Sequence, residues 1–535
     1  MMGFDRRRLL AGLAALAPAV RLSAQPAGGP FQPSWTSLNA GYRTPDWFRD
    51  AKFGIWAHWG PQSVPEMGDW YGRFLYVQGH PISDFHRAKY GHPAEFGMKD
   101  IQNLWKADRW EPEALMARYK KAGAKYFVSL ACHHDNFDCY DSAHHGWNAL
   151  NVGPKRDIVG TWAKVARDAG LRFGVSNHAG HAWQWFQTAY SYDPEGPRAG
   201  DGYDASKLTK ADGVGTWWEG LDPRDLYTAP AIVPPPGIKS IKEMEAWRDA
   251  HWDWSENAPA VDPGYARRWL ARQNDLVEKY RPDFAYFDNH GVPFGVVGMQ
   301  AIADYYNRAA AWNAGDPDVV MTVKSVQPWQ RAGVTEDIER GYAEGIRALP
   351  WQTDTCIGDW FYNASRPRDR SYKNAQAVVQ RLADVVSKNG NLLLSIPQRG
   401  DGTIDSEEEA ILDALAGWMA VNGEAIFGTR PWRRFGEGPT RPPLGFMAEG
   451  EQKPYTAQDV RFTTQGGALY ALLLAPESGP LTIASLGAEA AAVERVTLLG
   501  GPRLAHRHDA AGLHVTLPAI DGFVPVLKVE GRGLT

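Results

Sequence analysis

Short apolar runs alternate with amphipathic stretches over some 370 residues, and this alternation constrains the fold most. The runs read as strands are Phe53–His58, Lys125–Cys132, Arg172–His178, Phe284–Asn289, Val319–Lys324, a short one near Asp337–Arg340, one near Trp351–Ile357, and Asn391–Ile396. Between them lie helix-like segments such as Glu111–Ala122, Ile158–Ala169, Tyr265–Lys279 and Asn374–Ser387. Strand, helix, strand at this spacing reads as βαβ units on a parallel sheet. About eight such repeats predict a TIM-like (β/α)8 barrel. Segments such as AYF and LLLSI carry apolar runs rather than strict alternation, as strands covered on both faces do.

The remaining organisation follows from breaks in this rhythm. From about 187 to 261 the chain is rich in Gly, Pro, Asp and Trp. It reads as a long insertion after the third strand, on the face where a barrel places its active site. The barrel is expected over 30–430. Pro and Gly cluster between Pro431 and Pro443, and alternating runs follow at Leu469–Leu474, Val493–Leu499, Leu513–Leu517 and Val524–Val529. This predicts a small antiparallel β-sandwich over 431–535. The first residues, MMGFDRRRLLAGLAALAPAVRLSAQ, carry the consecutive arginines Arg6, Arg7 and Arg8, then an apolar run too short to span a bilayer, and small residues at a cleavage position. That order predicts an export signal over 1–24, either of the twin-arginine kind or an ordinary secretory one, and hence a periplasmic or secreted protein with no membrane insertion after cleavage.

Composition excludes several classes. Lys+Arg 57 against Asp+Glu 62 gives a net charge of −5, without the basic stripe of a nucleic-acid binder. Three cysteines, Cys132, Cys139 and Cys356, form no CxxC pair and no disulfide framework, and are read as buried thiols. The 23 tryptophans exceed what a core alone requires and suit a cleft that packs against sugar faces.

Polar residues gather where the predicted strands end. The first ends in His58-Trp59-Gly60, the second in His133-His134-Asp135, the third in Asn177-His178, and the fourth in Asp288-Asn289-His290. Imidazoles and carboxylates closing apolar strands are costly unless they share a task, so they predict one pocket at the C-terminal mouth. The same residues could also be written as a zinc-type site. Against that reading, the first strand has no H-x-H pair, and His133 and His134 are expected on opposite faces of a strand. No metal or cofactor is therefore expected.

An ordered set of motifs carries a resemblance. FGIWAHWGPQSVP, GDWYGR, KYFVSLACHHDNFDCYDS, WNALNVGPKRDIV, RPDFAYFDN, VSKNGNLLLSIPQRGDGTI and NGEAIFGTRP follow one another between about 36 and 430. The series resembles that of the α-L-fucosidases of glycoside hydrolase family 29. The resemblance implies a retaining exo-glycosidase acting on fucosylated oligosaccharides or glycoconjugates through two carboxyl groups. Asp288 matches the family's nucleophile. The acid/base, whose position varies in this family, falls on Glu339, with Glu336 as the next choice in a segment that also holds Glu344. His58, His133 and His134 match the hydroxyl ligands, and Trp59, Asp69, Trp70, Tyr71 and His178 complete the expected substrate-binding set.

The chain departs from the family pattern in places. Gln352 stands where many relatives carry Glu, Asp69 stands where many carry Glu, and Asn177-His178 replaces a Tyr-Ser type of ending. These departures leave room for another L-galacto-configured sugar. A metal-dependent hydrolase and a non-catalytic sugar-binding protein are the alternatives from other classes.

Overall fold

The computed structural model describes residues 28–228, 232–252, 263–488 and 492–534. The export signal expected over 1–24 lies outside them. Among the described residues no helix is long and apolar enough to cross a membrane.

Eight parallel strands close a barrel in chain order: β1 (Phe53–Ala57), β2 (Tyr126–Cys132), β3 (Arg172–Asn177), β4 (Phe284–His290), β5 (Val320–Lys324), β6 (Thr335–Asp337), β7 (Trp351–Cys356) and β8 (Gly390–Ser395). Closure is through β1 on β8, with Phe53 opposite Leu392. Each predicted strand lies within a few residues of an observed one. The helices Pro112–Lys121, Ile158–Asp168, Pro263–Tyr280 and Ala375–Ser387 cover the outside as the sequence predicts. Asp157 caps the second of these on the Gly160 N–H at 2.8 Å, and Asn374 caps the last on the Ala377 N–H at 2.9 Å.

The C-terminal strands are β9 (Arg430–Glu437), β10 (Val460–Gln465), β11 (Ala468–Leu473), β12 (Gly479–Ile483), β13 (Ala492–Leu498), β14 (His506–Asp509), β15 (Gly512–Leu517) and β16 (Val526–Arg532). They form antiparallel sheets of five strands (β13-β16-β11-β10-β9) and three strands (β12-β15-β14). The Pro- and Gly-rich stretch that opens at Pro431 begins inside β9. β9 is an edge strand, where a proline's missing N–H costs nothing.

This second unit is fastened to the barrel. Tyr470, Leu472 and Val526 share one apolar core with the barrel helices. Arg461 of β10 reaches Asp384 of the Ala375–Ser387 helix at 2.7 Å, and Lys388 reaches the same carboxylate at 2.8 Å, all three fully buried. Burial alone would raise the Asp384 pKa, but the Lys388 and Arg461 charges hold it below the usual range.

The described part of the 187–261 stretch includes the helix Ile241–His251 and shorter turns. It braces the long β1–β2 excursion: Asp193 pairs with Arg87 at 2.7 Å, and Asp204 accepts from Tyr76 at 2.9 Å and Tyr227 at 2.6 Å. The three cysteines are buried free thiols.

Candidate active site

At the C-terminal mouth of the barrel a cavity of about 320 Å³ opens. That is the low end for ligand pockets and the scale of one monosaccharide. Of the predicted residues, His58, Asp69, Trp70, His133, His134, His178, Asp288 and Glu339 line it.

Asp288 sits on β4, and its carboxylate has partners on both oxygens. Oδ1 takes the Lys324 ammonium from the end of β5, and the Tyr286 hydroxyl stands 3.5 Å away. Oδ2 lies 2.9 Å from His178 Nδ1 and 3.3 Å from His134 Nε2. Burial by itself would push this carboxyl up. The Lys324 charge, then His178 and the hydrogen bonds, override it and hold Asp288 well below the usual carboxylate range.

Lys324 also reaches Glu339 Oε2 at 2.5 Å, so one ammonium ties both carboxylates together. The backbone around Glu339 is pinned. Ile338 N–H donates to the Gln352 carbonyl and Arg340 N–H to the Asp354 carbonyl, each at 2.9 Å, which continues the β6–β7 pairing. The Glu339 carbonyl in turn accepts from Met447 N–H at 2.9 Å. Backbone strain collects here: Trp70, Ser325 and Arg340 have φ of 65°, 53° and 43°. Left-handed geometry at non-glycine residues persists only where surroundings enforce it.

His58, His133 and His178 are neutral. Burial, then neighbouring imidazoles, drives His58 and His133 well below their usual pKa; burial brings His178 down to about 4 despite the Asp288 charge. Gln62 accepts from Gly72 N–H through Oε1 at 3.3 Å, so its amide donates to His133 Nδ1 at 2.7 Å. His133 therefore carries its proton on Nε2. Among the described residues neither nitrogen of His58 has a hydrogen-bond partner. A buried neutral imidazole offers one donor and one acceptor, a pairing that ligand hydroxyls satisfy. Trp56 and Trp360, 5.4 Å apart, wall the cavity beside His58. Asp69 is half-buried and accepts from Phe361 N–H at 2.9 Å; loss of solvent around its carboxyl raises it to about 7.

The structure separates other predicted residues from the cavity. Trp59 is 1% exposed, packs edge-on against Trp105 at 5.0 Å and donates to the Arg399 carbonyl. Tyr71 is buried and bonds His86 Nδ1 at 2.6 Å, while His86 Nε2 donates to the Phe96 carbonyl at 2.8 Å. Both are core groups: each aromatic follows a cavity residue in sequence, and the chain turns it inward. Glu336 alternates with Asp337 on β6, points out of the barrel and is taken by Arg331 and Arg347. His133 and His134 do not diverge as strand neighbours should. Both follow the end of β2, beyond a register shift against β3, and their rings stand 4.3 Å apart. Among the described residues of the 187–261 stretch none lines the cavity. The lining residues missed by sequence reasoning include Lys324, Tyr286, Asp354, His181 and Phe446. Lys324 had a signal, as a cation closing the apolar run VMTVK.

Gln352 has a clear place. It is buried inside the barrel, accepts from Tyr126 at 3.0 Å and donates to Asp337 at 2.9 Å. Next to it Asp354 accepts from Tyr286 at 2.8 Å; burial and the Glu339 charge raise its carboxyl to about 7.

Among the described residues two clusters have metal-ligand spacing, His58/His133/His178 and His134/His178/Asp288, with atoms within 4.8 Å. The first is partly committed, since His133 Nδ1 is held by Gln62.

Two expected results follow from this geometry. In Lys324→Met, burial of Asp288 is no longer opposed by the nearest cation, so its pKa climbs. Fewer molecules then carry the carboxylate as pH falls, and the acid limb of kcat/KM moves to higher pH. A shift of roughly two pKa units lowers kcat/KM about 10²-fold at acidic pH and less at alkaline pH; an unmoved acid limb would refute the assignment. Tyr71→Phe leaves His86 Nδ1 buried without its donor. It should lower unfolding free energy by roughly 1–3 kcal/mol, read by denaturant titration, with kcat/KM unaltered. A large kcat/KM loss in a stable variant would return Tyr71 to the substrate site.

A closed parallel barrel with a small cavity and two carboxylates at its mouth is an arrangement that suits a glycoside hydrolase. The family model for α-L-fucosidase matches residues 19–424, and the chain belongs to the α-L-fucosidase family. It is 26% identical over 518 residues to tissue α-L-fucosidase of Rattus norvegicus, covering 93% of this chain and 90% of that one. It is 26% identical to plasma α-L-fucosidase of Homo sapiens, covering 82% and 80%. The crystal structure of Thermotoga maritima α-fucosidase superposes with a TM-score of 0.67 at 26% identity, covering 93% of this chain and all of that one.

Proposed function

We propose that the protein is an exported retaining exo-α-L-fucosidase that removes terminal α-L-fucosyl residues from oligosaccharides or glycoconjugates. One observation carries the reading: Asp288 and Glu339 share the Lys324 ammonium. Two oxygens on one nitrogen stand no more than two hydrogen-bond lengths apart, roughly 5–6 Å. Retaining pairs sit at about 5–5.5 Å, whereas inverting pairs need about 6.5–9.5 Å to admit a water.

In this reading Asp288, held ionised by its cation and imidazole neighbours, attacks the anomeric carbon. Glu339 gives its proton to the departing oxygen. A β-linked glycosyl-enzyme results; Glu339 then takes a proton from water, which displaces Asp288 and restores the α configuration. The neutral His58, His133 and His178, with His134, read the sugar hydroxyls, and Trp70 and Asp69 border the ring. The barrel over 30–430 carries the chemistry, and 431–535 forms the second domain. The leader at 1–24 directs the chain out of the cytoplasm.

The test is release of nitrophenol from p-nitrophenyl α-L-fucopyranoside, with the first free anomer followed by proton NMR. α-L-Fucose should appear first. β-L-Fucose first would make the enzyme inverting, and no release would point to another L-galacto-configured sugar.

A further inference from the structure

We propose that residues 444–449, between β9 and β10, form the leaving-group subsite, with Phe446 as the face on which the second pyranose ring of the substrate rests. This rests on the fucosidase reading above.

After β9 the chain leaves its sheet and crosses to the barrel mouth. There it is bonded along its backbone: Gly445 N–H to the Tyr342 carbonyl at 3.3 Å, Met447 N–H to Glu339 at 2.9 Å, and Glu449 N–H to Arg340 at 2.8 Å. The Glu449 carboxylate, largely buried, accepts from Thr355 at 2.9 Å. It lies 3.1 Å from Arg340 and 3.2 Å from both Lys373 and Arg381. The underside of the segment is thus clamped by charge.

Its outer side is apolar and in solvent: Leu444 is 58% exposed, Phe446 45% and Met447 48%. A cluster of large apolar side chains held in solvent beside a cavity marks a binding surface. Phe446 and Met447 line the cavity themselves. The Phe446 ring stands 5.2 Å from the ring of His290, two residues beyond Asp288 on β4.

Position decides the occupant. A general acid protonates the oxygen that links the two sugars, so whatever hangs on that oxygen leaves past Glu339. The next chain there is the one bonded to the Glu339 carbonyl. A pyranose presents an apolar C–H face, which packs on an aromatic ring. The second domain therefore contributes to substrate selection through a segment distant in sequence from the barrel motifs.

The experiment compares two substrates. α-L-Fucosyl fluoride has a one-atom leaving group and leaves the subsite empty; a fucosyl disaccharide, chosen as the best wild-type substrate from a linkage panel, fills it. In Phe446→Ala the ratio of kcat/KM for disaccharide over fluoride should fall about five- to tenfold, and Phe446→Trp should restore it. Glu449→Gln, which loosens the clamp, should lower the same ratio, with its melting temperature measured alongside. An unchanged ratio in Phe446→Ala overturns the proposal, as does a parallel fall on both substrates. A wild type that cleaves the fluoride but no disaccharide also overturns it while the fucosidase reading stands. A wild type that cleaves neither fails the fucosidase reading itself.

Discussion

Asp288→Asn should lower kcat on an aryl α-L-fucoside by at least about 10⁴-fold, with circular dichroism and melting temperature close to wild type. Nucleophile deletions in covalent mechanisms cost on this order because the double displacement has no substitute path. The change keeps the volume and leaves partners for His178 and Tyr286, so the fold should survive. The smaller Asp288→Gly opens the space the carboxylate filled. Azide placed there attacks the anomeric carbon once, from the nucleophile's face, and one inversion of an α-fucoside gives β-L-fucosyl azide. An Asp288→Asn enzyme with wild-type kcat would remove Asp288 from the mechanism.

Glu339→Ala should lower kcat/KM by about 10²–10⁴-fold on substrates whose leaving group needs a proton, and far less on activated aryl fucosides. Here the glycosyl-enzyme still forms, because Asp288 is intact. Azide then intercepts it, and two inversions give α-L-fucosyl azide. Opposite anomers from the two variants separate the nucleophile from the acid/base without reference to any relative. The β anomer from Glu339→Ala, or no azide product, would exclude Glu339. Glu336 offers no rescue, because its carboxylate is spent on Arg331 and Arg347 outside the barrel.

The sequence by itself determined the barrel and part of its mouth. Strands such as β1, β2, β4 and β8 carry contiguous apolar runs, so their existence is a local fact, and polar endings such as His58, His133-His134 and Asp288 are written at the ends of those runs; β6 and β7 are largely polar and carry no such signal. What it left open turns on direction and on distance along the chain. The sequence ranks Glu339 ahead of Glu336 but orients neither; the alternation of β6 points Glu336 outward, and the continued pairing with β7 brings Glu339 to the cavity. Trp59 and Tyr71 lie beside cavity residues in sequence but turn into the core, because one step along a chain reverses the face a side chain presents. Lys324 closes its strand like any surface lysine; only barrel closure sets it between the two carboxylates. Phe446 and Glu449 belong to the second domain, and no local pattern says that they cross to Glu339. Tertiary structure decided these points, because contacts between residues remote in sequence are fixed by how sheets close and pack, not by periodicity.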